Sequence, residues 1–127
     1  MTYYNCIRIA AVLGALAVAF GAFGAHALAN LLEEQGREDT YDTAVKYHFY
    51  HSLAVLMTGI LIYLFPDSRK LKISAWLFLF GIVVFSGSLY LLCLSGITWL
   101  GAITPLGGTA FIIGWLFLFL GIKFKQQ

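Results

Sequence analysis

Four long apolar runs, separated by short polar or turn-forming segments, organise this chain. The first runs from Ile7 to Leu28, long enough to cross the ~30 Å hydrocarbon layer of a bilayer. It contains GALAVAFGAFGAHAL (Gly14–Leu28) and gives way to Leu31–Asp42, which carries Glu33, Glu34, Glu38, Asp39 and Asp42. Within that hairpin Gly36 is expected to stop a helix, and Asp39 or Thr40 to cap the next one. The second run is Tyr41–Phe65. Its fully apolar part, Leu53–Phe65, is too short to span alone, because about 20 residues are needed. Lys46, Tyr47, His48, Tyr50, His51 and Ser52 are therefore drawn towards or into the bilayer. Pro66–Lys70 forms a tight turn, and Lys72–Leu94 is the third run. Ser95–Ala102 is uncharged, with Trp99 as an interface anchor. Pro105 opens the fourth run, at a position where its missing N–H costs little. The pattern predicts one all-α membrane domain over 1–127, with helices near 6–30, 41–65, 71–94 and 104–123.

Small residues recur every seven positions in each run: Gly14 and Gly21; Ser52 and Gly59; Ser74, Gly81 and Ser88; Gly107, Gly114 and Gly121. In lipid the hydrophobic effect does not draw apolar helices together, so close backbone approach and interhelical hydrogen bonds must. A seven-residue period stays in phase along helices crossing at a shallow left-handed angle. The expected architecture is an up-down bundle of four transmembrane helices with left-handed packing, held through Gly14, Gly21, Gly59, Gly81, Gly107 and Gly114.

Composition reinforces the reading: 61% of residues are hydrophobic and 11% charged, against ~45–50% and ~25% in soluble domains. Mean hydropathy is +0.85. A net charge of +2, with its basic residues at helix ends, excludes a nucleic-acid surface. Arg8, Arg69, Lys70, Lys72, Lys123 and Lys125 fall on one face of a four-span topology, and Arg37 and Lys46 on the other. The positive-inside rule then predicts N-in and C-in, with the acidic loop 31–42 outside. Ala25-His26-Ala27 has the form of a signal-peptide cleavage site, but the run before it exceeds the ~7–15 residues of a signal core, so an uncleaved span is expected. Cys6 and Cys93 fall near opposite faces and are expected not to pair. Asp42 and Lys46, one turn apart, are expected to form a surface ion pair.

Depth along the helices, at ~1.5 Å per residue, gathers His26, His48, His51, Ser86, Ser88, Tyr90 and Thr104 in the outer third. Ionisable groups at membrane depth are costly and face a bundle interior or wet cavity. His48 and His51 share a helix edge and with His26 would make a three-histidine metal set. Two histidines could also hold haem. Ser86 or Ser88 with a histidine would be the kernel of an intramembrane hydrolase, although no orienting acid stands at that depth. Serines inside spans also bond backbone carbonyls or bridge helices. No phosphate-cradling loop and no H-E-x-x-H is present, and neither a metal nor a cofactor is expected.

GAFGAHAL at Gly21–Leu28, TAVKYHFYHSLA at Thr43–Ala54, FSGSLYLL at Phe85–Leu92 and GAITPLGG at Gly101–Gly108 together resemble the YgdD/YwdK-type family of small bacterial membrane proteins of unknown function. The resemblance covers nearly the whole chain and implies a four-helix inner-membrane protein, with no activity, substrate or cofactor attached. Its motif positions fall on Gly21, Gly24, His26, Tyr47, His51, Ser86, Gly87, Ser88, Tyr90, Thr104, Pro105, Gly107 and Gly108. The expectation is a non-enzymatic accessory or scaffold subunit in the bilayer, homo-oligomeric or bound to a membrane partner through its acidic hairpin. The alternative is an outward-facing site for a small ligand, proton or metal ion, lined by His26 and His51 with Tyr47, Ser86, Ser88, Tyr90 and Thr104.

Overall fold

The computed structural model describes residues 1–123; Lys125, counted above on the basic face, lies outside the described residues. The described chain is helical throughout, without strands. Its elements are α1 (Tyr3–Ala25), α2 (Ala29–Gln35), α3 (Glu38–Leu64), α4 (Arg69–Gly81), a π-helical turn at Ile82–Ser86, α5 (Gly87–Ser95), a 3-10 turn at Thr98–Ala102 and α6 (Thr104–Gly121). Four stretches are long and apolar enough to cross a membrane: Tyr3–Ala25, Glu38–Leu64, Arg69–Ser95 and Thr98–Gly121.

Helix ends follow local chemistry, with three departures from the sequence reading. The first helix ends at Ala25 rather than near residue 30, and the segment expected as a loop contains α2. Leu32 explains the difference. It is buried against Tyr41 and Cys93, so a short helix covers the end of the bundle. Gly36 stops α2 as expected, at φ 61° with its N–H on the Glu33 and Leu32 carbonyls. Asp39 and Thr40 do not cap α3. The cap position is Arg37, without a side-chain bond, and Glu38 and Asp39 lie in the first turn, where negative charge complements the helix dipole. Asp42 and Lys46 form the expected exposed pair at 2.6 Å. Gly96, at φ 71°, closes α5, and Pro105 sits in the first turn of α6.

Consecutive spans pack side by side in opposite directions, and large residues meet glycines. Along the third and fourth spans Leu71 lies on Gly121, Phe78 on Gly114 and Phe85 on Gly107. Each partner moves by seven residues per step. Between these steps the relation inverts, and Gly81 receives the ring of Phe111. A Cβ on Gly114 would stand 2.8 Å from Phe78 Cε1, and one on Gly107 would enter the Phe85 backbone. Hydrogen bonds reinforce the same seam: Ser68 Oγ donates to Gly121 O and Ser74 Oγ to Gly114 O, both at 2.8 Å.

The α1–α3 seam repeats the device. A Cβ on Gly59 would lie 2.8 Å from Cys6 Cβ, one on Gly21 would lie 3.2 Å from Val45 Cγ1, and one on Gly24 would enter the Tyr41 ring. Gly14 is the exception among the predicted packing glycines, since a Cβ there meets nothing within 4 Å. The buried row on α1 is Cys6, Ala10, Ala17 and Gly24, and Gly14 stands at its edge. In an 18-residue apolar stretch of each middle span 44% of the residues are buried, against 17% in α1 and 28% in the last span. The main apolar core lies where α3 meets α4, with Cys6 and Ala10 of α1 and Phe111 of α6 packed into it. Cys6 and Cys93 are buried, free and in separate apolar clusters.

Candidate functional site

Half-way along α3, His51 is enclosed by aromatic rings from the third and fourth spans. Its ring stacks on Phe111 at 3.5 Å between centroids and 11° between planes, with Phe78 at 5.7 Å. Trp115 Nε1–H donates to His51 Nε2 at 3.2 Å, and His51 Nδ1 pairs with the Tyr47 carbonyl at 2.8 Å. An indole only donates and a carbonyl only accepts. The two partners therefore set one tautomer, a neutral imidazole with its proton on Nδ1. Tyr47, 40% exposed, lays its own ring on Phe85 at 4.7 Å. Depth counted from the helix ends placed His51 in the outer third. Its contacts with Phe78 and Trp115 place it instead at the middle of the bundle.

A second cluster lies nearer the α2 end. Tyr41 Oη donates to the Phe20 carbonyl at 2.6 Å, across the gap that the missing side chain of Gly24 leaves. Tyr90 reaches in from α5, with its ring 5.0 Å from Phe20 and 5.4 Å from Tyr41, and its hydroxyl 3.1 Å from His48 Nδ1. His48 is 3% exposed, and its Nε2 is buried without a hydrogen-bond partner. This cluster ties α1, α3 and α5 together at one level.

The remaining candidates join helices. Ser86, in the π-helical turn, donates to the Ala44 carbonyl at 2.8 Å and so links the third span to α3. Ser88 Oγ lies 2.7 Å from Thr104 Oγ1 and bonds the Phe85 carbonyl at 2.9 Å. His26 belongs to none of these groups. It is exposed at the C-terminal cap of α1, where the chain turns away towards α2. The structure thus separates His26 from His51, and among the described residues no three His, Cys, Asp or Glu side chains gather into a metal-holding group. The outer set read from depth divides into the His51 centre, the His48–Tyr90 cluster and the Ser88–Thr104 bridge.

Sequence reasoning missed Phe20, Tyr41, Phe111 and Trp115 as partners. Trp115 carried a usable signal: a tryptophan deep in an apolar run brings an N–H that needs an acceptor, and α3 supplies one in His51.

Comparison with known proteins agrees with this architecture. Residues 20–108 match a family described as a protein of unknown function, DUF423. A UPF0382 membrane protein of Staphylococcus saprophyticus is 44% identical over 121 residues, covering 91% of this chain and 97% of its own. YwdK of Bacillus subtilis, also a UPF0382 membrane protein, is 42% identical, covering 88% of this chain and 90% of its own. The UPF0382 inner membrane protein YgdD of Escherichia coli is 35% identical over 136 residues, covering 100% of this chain and 96% of its own. No solved structure matches the chain. With four membrane-spanning stretches of its own, and relatives over nearly its whole length, this chain belongs to the DUF423 (UPF0382) family of membrane proteins, whose function is unknown.

Proposed function

We propose that this protein is a non-enzymatic integral membrane subunit, an accessory or scaffold element whose buried polar groups fix helix packing. The observation that carries the reading is the state of His51. Both ring nitrogens are engaged by the protein's own groups, which leaves neither for a ligand, a metal or a proton in transit. Ser86 supports it, since its hydroxyl bonds a helix carbonyl rather than a histidine. The scaffold reading is favoured over a ligand site shared by His26 and His51 because His26 is exposed at the C-terminal cap of α1 whereas His51 is buried half-way along α3. The proposed orientation is N-in and C-in across the bacterial cytoplasmic membrane, supported by the bias of basic residues towards the ends that hold Arg8, Arg69, Lys70, Lys72 and Lys123. In that orientation α2 and the first turn of α3 present Glu33, Glu34, Glu38 and Asp39 outside, as the contact surface for a membrane partner or a second copy.

The test is native purification of the wild type and His51→Gln from membranes, with metal and small-molecule analysis of both eluates. The reading expects the same assembly state in both, changed only when Glu33, Glu34, Glu38 and Asp39 are replaced by their amides. A stoichiometric metal or small molecule that is lost with His51→Gln would overturn it.

A further inference from the structure

In the half of the bundle nearer α2, a cavity of about 610 Å³ lies between α1 and the third span. Phe20 and Phe23 of α1 line one side and Val83, Gly87 and Leu91 the other, with Leu28 where α1 turns into α2. The hydroxyls along it are turned to the protein itself. Tyr41 bonds the Phe20 carbonyl at 2.6 Å, Tyr90 pairs with His48 Nδ1 at 3.1 Å, and Ser88 bonds the Phe85 carbonyl at 2.9 Å. What faces the cavity is therefore hydrocarbon. Two features hold it open. Ile82–Ser86 is a π-helical turn, a rare geometry that recurs at functional sites. It sends Ser86 inward to the Ala44 carbonyl while Val83, in the same turn, is 69% exposed. Immediately after it stands Gly87, where a Cβ would meet nothing within 4 Å. The places at Gly81, Gly107 and Gly114 are taken by a neighbouring ring or backbone; the place at Gly87 belongs to the cavity.

Length and charge together define the occupant. Val83 is at the middle of the span Arg69–Ser95, and Leu94, which also lines the cavity, is next to its end. The rise between them is about 16 Å, half of the ~30 Å hydrocarbon layer. The cavity is thus one leaflet deep. Phe23 and Leu91 are exposed at its sides, so it opens laterally into the bilayer, where lipid chains run parallel to it. The head group sits at the level of α2. Residues 29–46 carry five acids (Glu33, Glu34, Glu38, Asp39 and Asp42) and two bases (Arg37 and Lys46), a net charge of −3, and the loop 95–104 is uncharged. Leu28 and Tyr41, both lining the cavity, adjoin these residues in the chain. An anionic head is repelled there and an ammonium group attracted. We propose that this cavity binds one zwitterionic, ammonium-headed phospholipid, with an acyl chain between α1 and the third span and its head beside α2. The site is independent of the scaffold reading and of which face is cytoplasmic.

The test uses the full-length protein in neutral detergent, titrated with phosphatidylethanolamine, phosphatidylglycerol or a free fatty acid, all with the same chain. Retained lipid is read by native mass spectrometry and stabilisation by thermal unfolding. Phosphatidylethanolamine is expected to be retained at one per chain and to raise the unfolding temperature. The two anionic amphiphiles should bind about fivefold more weakly, a gap that narrows as salt is raised and disappears when Glu33, Glu34, Glu38 and Asp39 are replaced by their amides. Gly87→Phe places a ring in the path of the chain and should weaken retention about tenfold. Gly14→Phe adds the same bulk at a glycine that also meets nothing within 4 Å, away from the cavity, and should leave retention unchanged. Both should unfold at the wild-type temperature when no lipid is added. Leu91→Ala, at the exposed side, tests the same wall without added bulk and should weaken retention about threefold. Undiminished retention in Gly87→Phe or Leu91→Ala, or an equal fall in Gly14→Phe, would overturn the proposal. Phosphatidylglycerol or fatty acid held as tightly as phosphatidylethanolamine at low salt would also overturn it.

Discussion

His51 shows why a titratable residue can sit at the centre of a membrane bundle without marking a reaction. Burying an unpaired imidazole nitrogen costs about 1–3 kcal/mol, and here both nitrogens have partners of fixed polarity. Trp115→Phe keeps an aromatic ring but removes the donor to Nε2 together with part of the indole packed on His51 and Phe78, so the bond is isolated only by a double-mutant cycle with His51. It should destabilise the protein by about 1 kcal/mol, and His51→Phe combined with it should cost less than the sum of the two single changes. Strict additivity in thermal unfolding would contradict the bond. The types and approximate places of these polar residues were legible in the sequence, but their partners were not. Depth along each helix gives a level and no azimuth, so His26, exposed on α1, and His51, enclosed by Phe78 and Phe111, looked like neighbours.

At the scale of the element, the glycines of each seam are defined by what fills the space they leave. Gly24 and Tyr41 are the clearest pair, since the tyrosine ring occupies the place a side chain would take and its hydroxyl crosses to the Phe20 carbonyl. Gly24→Ala should destabilise the α1–α3 pair by about 1–3 kcal/mol, the usual cost of overpacking. In the Tyr41→Ala background the same change should be close to neutral, because the ring is gone. An equal loss in both backgrounds, read by thermal unfolding in detergent, would sink the pairing. The seven-residue rows were readable from sequence, and five of the six named glycines do lie at close approaches. Gly14 misled because period seven alone does not say which row of a helix is central: Ala10, Ala17 and Gly24 form the buried row of α1, and Gly14 and Gly21 run beside it. Only the partner helix shows which. The helix α2 was hidden for a related reason: the acidic residues suggested a loop, while the burial of one apolar residue, Leu32, against Tyr41 and Cys93 decided the structure.

Across the whole molecule the two ends differ in charge and in construction. The end with α2 is acidic and covered by a short helix. The opposite end is basic, and there Ser68 ties the start of α4 to the end of α6. Placing cysteine at Gly36, after removing the two native cysteines, tests the proposed orientation. An impermeant maleimide added to intact cells, or to spheroplasts where an outer membrane is present, should label it, while the same probe added to the outside of inverted vesicles should not. The reverse pattern would invert the topology without disturbing the seams.

The account depends most on large side chains seating on glycines along the third and fourth spans. The direct measurement is thermal unfolding in detergent of Gly114→Leu beside Gly14→Leu, two equal insertions of bulk into membrane helices. Phe78 already occupies the space at Gly114, and Gly14 faces none. Gly114→Leu should lower the unfolding temperature by about 10 °C or more, or prevent folding, while Gly14→Leu stays near the wild type. Equal melting of the two variants would contradict the account.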